Sequence, residues 1–185
     1  MDIDTKSNIK SLAINKEFER AIALKDKIEA LQILRILVLR QDDTDIAPVE
    51  IKEKAIEKIA SLYLQTKNEK KLPSILKDFS QFFASVSKAK TAKIVRNLLN
   101  TISKNSENAE MQLSFCDESI KWCQREKRSF LRQKIEARKA ELLLEGRRYR
   151  DALAILRRLT SEAKQVDDKL YLIEVSLLDS QAHSV

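Results

Sequence analysis

Two cysteines, one histidine and a few adjacent carboxylates are the only side chains here whose spacing invites a chemical reading. Cys116 and Cys123 lie seven residues apart, so two helical turns bring them to one face. Their Cα atoms would then be roughly 10 Å apart, too far for a disulfide. With His183 the only histidine, Cys and His cannot complete a zinc quartet. Both cysteines are expected to act as small core hydrophobes in a reducing compartment. His183 stands third from the end, where a terminal role is expected. Asp42-Asp43 and Asp167-Asp168 sit beside turns and suit helix caps and loops better than an acid/base or metal pair. A single glycine cannot build a phosphate-binding loop, and HExxH, GxSxG and CxxC are absent. The sequence therefore predicts no enzyme, no metal and no cofactor.

The elements that carry these residues are helical. The 185 residues are 43% apolar and 34% charged, with one Gly and two Pro. All-β folds need many turn residues and dinucleotide sheets need glycine, whereas Leu, Ala, Lys, Glu, Arg and Gln propagate helices. At helical spacing the chain divides into about nine amphipathic segments. They run approximately over 9–24, 27–40, 48–65, 69–84, 88–103, 107–124, 129–145, 149–163 and 168 onward, with 41–46 as a loop. Pro48 suits a first helical turn, Ser87 an N-cap, and Gly146 a helix stop.

Internal repetition points further. Glu29–Leu37 (EALQILRIL) matches Asp151–Leu159 (DALAILRRL) at a separation of 122 residues. That is close to three periods of about 40, the size of a paired-helix repeat. Gly146, Tyr149 and Ala152 form G-x-x-Y-x-x-A, which resembles the turn and second helix of a tetratricopeptide repeat. There, Gly closes the turn, Tyr fills the interhelical angle and Ala permits close approach. The expected fold is all-α, a right-handed α-solenoid of TPR-like hairpins. Residues 15–185 form the solenoid and 1–14 stay unassigned.

The charge is uneven. Arg125 to Arg158 holds 12 Lys or Arg against 5 Asp or Glu, a surplus equal to the whole formal charge of +7. The candidate partner-binding patch is Arg125, Lys127, Arg128, Arg132, Arg147, Arg148 and Arg150, which could meet an acidic protein surface or nucleic acid. A solvated helix face is the plainer account. Aromatic content of 5%, mostly at core spacing, and the absence of any nucleic-acid-binding signature argue against nucleic acid. Trp122 is expected in the core, with a partner hot spot as the sharper alternative. No apolar run exceeds five residues, so neither a membrane span nor a signal-peptide core is expected, and the chain reads as soluble and intracellular.

Three stretches carry a family resemblance. They are Ser85–Leu99 (SVSKAKTAKIVRNLL), Arg125–Gln133 (REKRSFLRQ), and Asp167-Asp168-Lys169 leading into Glu174–Ser180 (EVSLLDS). In this order and spacing they resemble the family of the 26S proteasome non-ATPase regulatory subunit 11, from about Asn15 to the last residue. The resemblance implies a structural subunit of the regulatory lid, cytoplasmic and nuclear. Its solenoid would clamp the lid to an α-ring subunit of the core particle and to the ATPase ring, in ubiquitin-dependent degradation. It also implies a C-terminal PCI domain that binds other lid subunits and is not in this sequence. The chain would then be a shortened piece or an abbreviated member. The solenoid of another PCI-type complex, a signalosome or a translation initiation factor, and a basic nucleic-acid-binding module are the alternatives.

Overall fold

The computed structural model describes the backbone of residues 3–40, 49–106, 108–166 and 169–183, and their side chains except at 3–11, 166, 170 and 181–183. Among these residues every regular element is helical. In order they are α1 (Ile3–Ala23), α2 (Lys27–Leu39), α3 (Val49–Gln65), a 3₁₀ turn (Glu69–Ser74), α4 (Ile75–Asp78), α5 (Ser80–Ser85) and α6 (Lys88–Asn105). Then follow α7 (Ala109–Arg125), α8 (Ser129–Glu145), α9 (Tyr149–Val166) and α10 (Lys169–His183). The chain forms two compact units, residues 1–107 and 108–185. The all-α fold of successive helical hairpins predicted from the sequence is the one observed. Pro48, the 41–46 loop and the pairs Asp42-Asp43 and Asp167-Asp168 lie outside the described residues.

In the first unit α2 packs against α1 and α3, and α3 against α6. Asp26 starts α2 by accepting from the amides of Ile28 (2.8 Å) and Glu29 (3.3 Å). Ser87 starts α6 by accepting from the Lys90 amide at 3.2 Å, as its position predicts. Arg35 of α2 ties three elements together: it donates to Tyr63 Oη (2.7 Å) on α3 and to Asp78 (3.2 Å) on α4, over the Phe79 ring.

The single helix expected over 69–84 is broken. Pro73 has no N–H to return to the Glu69 carbonyl, so this turn tightens to 3₁₀ before α4 begins. The chain bends again at Phe79 (φ −106°, ψ 25°) between α4 and α5. Leu72, Ile75, Leu76, Phe79 and Phe83 are at most 1% exposed, so the broken segment serves as a plug of large apolar side chains.

In the second unit α7, α8, α9 and α10 pack consecutively. Helices α7, α8 and α9 begin at 109, 129 and 149, a period of 20 residues per helix and 40 per hairpin. The two matched stretches share a burial phase: Ala30 and Ala152, Leu34 and Leu156, Leu37 and Leu159 are all at most 3% exposed. The α8–α10 core gathers Ala137, Ala140, Leu156, Leu159, Ala163, Tyr171, Val175 and Leu178. Small residues on α8 let α9 and α10 approach closely, and Tyr171 Oη donates to the Gln133 carbonyl at 3.0 Å.

Three hairpin turns share one closure. The amides of Asn68, Arg128 and Arg148 donate five residues back to Tyr63, Cys123 and Leu143 carbonyls, at 2.8 to 2.9 Å. The preceding residues, Lys67, Lys127 and Arg147, take φ of 57°, 52° and 57°. This is the Schellman closure, which places its left-handed residue just past the helix end. Gly146 caps α8 and stops the helix there, as its position predicts, without itself taking the left-handed conformation. Its φ is −80°, and Arg147 beside it carries the left-handed turn. A Cβ at Gly146 would meet the Leu142 carbonyl oxygen at 3.4 Å, an ordinary contact. Thr66 and Glu126 occupy the equivalent place in the other two turns.

Candidate functional site

The seven candidate cations fall on α7, α8, α9 and the two turns between them. α8 has 17 residues, about 25 Å at 1.5 Å per residue. Arg125, Lys127, Arg128 and Arg132 sit at its N-terminal end, and Arg147, Arg148 and Arg150 at its C-terminal end. What reads as one basic segment is thus two clusters at opposite ends of a helix.

The clusters are not uniformly available. Arg132 is turned inward, its side chain 17% exposed, and holds Glu136 with two bonds (3.1 and 2.9 Å) and Glu162 with one (2.5 Å). Arg128 is half-buried, its guanidinium carbon 5.3 Å from the centre of the Trp122 ring. Arg148 pairs with Asp151 at 2.6 Å and borders an open groove lined by Glu110, Asp117, Glu118 and Lys121. The remaining four, Arg125, Lys127, Arg147 and Arg150, are exposed and have no ion-pair partner among the described residues. Available charge comes to two cations at each end of α8.

Acids elsewhere in the unit offset the basic segment. Residues 108–185 hold 15 Lys or Arg and 13 Asp or Glu, whereas residues 1–107 hold 20 and 15. The unit bearing both clusters is therefore close to neutral.

The inward face of Arg132 belongs to a feature sequence reasoning missed. Glu136 is 1% exposed and is held by Arg132 on its own helix and by Arg158 of α9 at 2.9 Å. Glu162 accepts from Arg132 and, at 3.0 Å, from Gln133. Burial alone would raise Glu162, but the hydrogen bonds from Arg132 and Gln133 outweigh it and hold the carboxyl below its ordinary value. Two arginines and two glutamates close a charge-balanced knot between α8 and α9. Its signals in the sequence are two i, i+4 pairs, Arg132/Glu136 on α8 and Arg158/Glu162 on α9.

Trp122 is 2% exposed, in the core as expected. Cys116 and Cys123 are buried free thiols, and burial pushes each up to about 12. That keeps them protonated and unreactive at neutral pH. The side chain of His183, the last residue of α10, lies outside the described residues. Among the described residues no three His, Cys, Asp or Glu are grouped to hold a metal ion, and no helix is long and apolar enough to cross a membrane. What the second unit offers is charge on hairpin ends, suited to contact with another macromolecule.

The chain is similar to known proteins over most of its length. Residues 14–146 match the family model described as the 26S proteasome regulatory subunit RPN6 N-terminal domain. The chain is 39% identical over 155 residues to the 26S proteasome non-ATPase regulatory subunit 11 homolog of Arabidopsis thaliana, covering 84% of this chain and 37% of that protein. It is 34% identical over 157 residues to 26S proteasome non-ATPase regulatory subunit 11 of Dictyostelium discoideum, covering 85% and 37%. The probable 26S proteasome regulatory subunit rpn6 of Schizosaccharomyces pombe is 31% identical over 163 residues, covering 88% and 39%. The matched part spans less than two fifths of each of these relatives.

Proposed function

The chain belongs to the family of the 26S proteasome regulatory subunit RPN6 N-terminal domain, and from that membership we propose that it is a non-catalytic scaffold of the proteasome regulatory lid. On this reading it joins the lid to an α-ring subunit of the core particle and to the ATPase ring, in the cytoplasm and nucleus. Other lid subunits complete its surroundings. Its surface does the work, and it needs no cofactor, small-molecule substrate or membrane. The observation that carries the reading is the family match over residues 14–146. The exposed, unpaired cations at both ends of α8 support it as contacts for acidic protein surfaces. Residues 15–185 would form one TPR-like array in that assembly.

The test is co-purification of the full chain with proteasome subcomplexes, followed by crosslink mapping. Enrichment of core-particle and ATPase-ring subunits is expected, with crosslinks near 125–128 and 147–150. Replacing Arg147, Arg148 and Arg150 together by Glu should lower recovery about tenfold, since each exposed pair contributes roughly 0.2–1 kcal/mol and reversal adds repulsion. The helical circular dichroism spectrum should not change. No enrichment of any proteasome subunit by the wild-type chain would refute the scaffold role.

A further inference from the structure

Helix α9 carries its charge in a regular line. Arg150, Ala154, Arg157, Ser161 and Lys164 are all exposed and recur at alternating steps of four and three residues, so they share one narrow face. Ala152, Leu156, Leu159 and Ala163, all at most 2% exposed, occupy the opposite face. Both acids of α9 are engaged elsewhere: Asp151 holds Arg148, and Glu162 holds Arg132. Arg150, Arg157 and Lys164 have no ion-pair partner among the described residues. The face is therefore uniformly basic, with one cation every seven residues and a small side chain between each pair.

We infer that this stripe is a docking surface for an acidic α-helix of a partner protein, whose carboxylates recur every seven residues over Arg150, Arg157 and Lys164. The inference rests on the scaffold reading and specifies the chemistry of one partner. Seven residues rise about 10.5 Å on any α-helix, so a second helix lying alongside meets each cation in register. Ala154 and Ser161 keep the space between the cations low, which allows helix axes to approach to roughly 8–10 Å. Arg at two of the three positions favours bidentate bonds to carboxylates. No exposed aromatic lies on the stripe for a base to stack on, which sets it apart from a single-strand nucleic-acid track.

The test uses the full chain and two labelled synthetic helical peptides of one composition, read by fluorescence anisotropy. One peptide has three Glu spaced by seven residues; the other has the same Glu moved off that spacing. The wild-type chain should bind the first about tenfold more tightly, and Arg150→Gln, Arg157→Gln, Lys164→Gln together should abolish the preference with helical content unchanged. Equal binding of both peptides, no binding of either, or full binding by the triple variant would overturn the inference. So would single-stranded RNA that displaces the peptide at physiological salt, which would make the stripe a nucleic-acid surface. The triple variant is also carried through the proteasome co-purification. If wild type and variant are recovered equally, the stripe is wrong and the scaffold stands; if wild type recovers nothing, the scaffold reading itself is wrong.

Discussion

Three basic residues sit in left-handed backbone, where a Cβ costs about 1 kcal/mol. Lys67→Gly and Arg147→Gly should therefore each stabilise the chain by roughly 1 kcal/mol in urea unfolding, less what glycine adds to the unfolded state's freedom. Gly146→Ala should cost nothing measurable, because its φ is ordinary and its Cβ would make only ordinary contacts. A large loss in Gly146→Ala would show that glycine is needed there after all. The thiols make a second residue-scale case. With Cys116 and Cys123 pushed up to about 12, native protein should react with a thiol reagent far more slowly than unfolded protein at pH 7, by on the order of a hundredfold or more. Fast native labelling at either site would contradict its burial. That these cysteines belong to the core was legible from the habit of free cysteine to be buried. The helix stop at Gly146 was legible too, but nothing local marks Arg147 as the residue that takes the left-handed turn.

At the scale of elements, the knot between α8 and α9 predicts a specific pattern of losses. Arg132→Met strands part of the charge on Glu136, which is 1% exposed, and should cost about 2–3 kcal/mol. Adding Glu162→Gln to Arg132→Met should recover part of that, because the acid left without its arginine goes too. Equal losses in the single and double variants would mean the two side chains do not act together. Glu162 also sets a pH dependence. Its folded-state carboxyl lies below the ordinary 4.5, so its stabilisation is complete above that value and fades as pH falls through the lower one. Glu162→Gln should flatten the acid limb of a stability–pH curve below about pH 4.5 and leave neutral pH unaltered in slope. Helix positions were legible from period 3.6 because each depends on neighbours three and four residues away. The knot was not, since Arg132 and Glu162 are 30 residues apart and meet only through packing. The break in 69–84 was half legible: Pro73 was visible, but the bend at Phe79 answers to what its ring is buried against.

For the molecule as a whole, linear proximity hid the separation of the two basic clusters. Arg128 and Arg147 are 19 residues apart in sequence, and the helix between them holds them at opposite ends. The hairpin period of about 40 residues was legible; which cations turn inward was not, because Arg132 and Arg125 look alike until α9 is in place. Charge also divides by unit: residues 1–107 carry a surplus of five cations and residues 108–185 a surplus of two. Neutralising Arg125, Lys127, Arg147 and Arg150 should therefore raise a partner's dissociation rate about tenfold and change its association rate less than threefold, measured by surface plasmon resonance. A dominant effect on association would mean these four cations act at long range. Beyond a screening length of about 8 Å at physiological salt, the second unit presents almost no monopole, only a pattern. On the scaffold reading proposed above, an acidic surface meeting the second unit would be held in one orientation, not merely at one place, by these arginines.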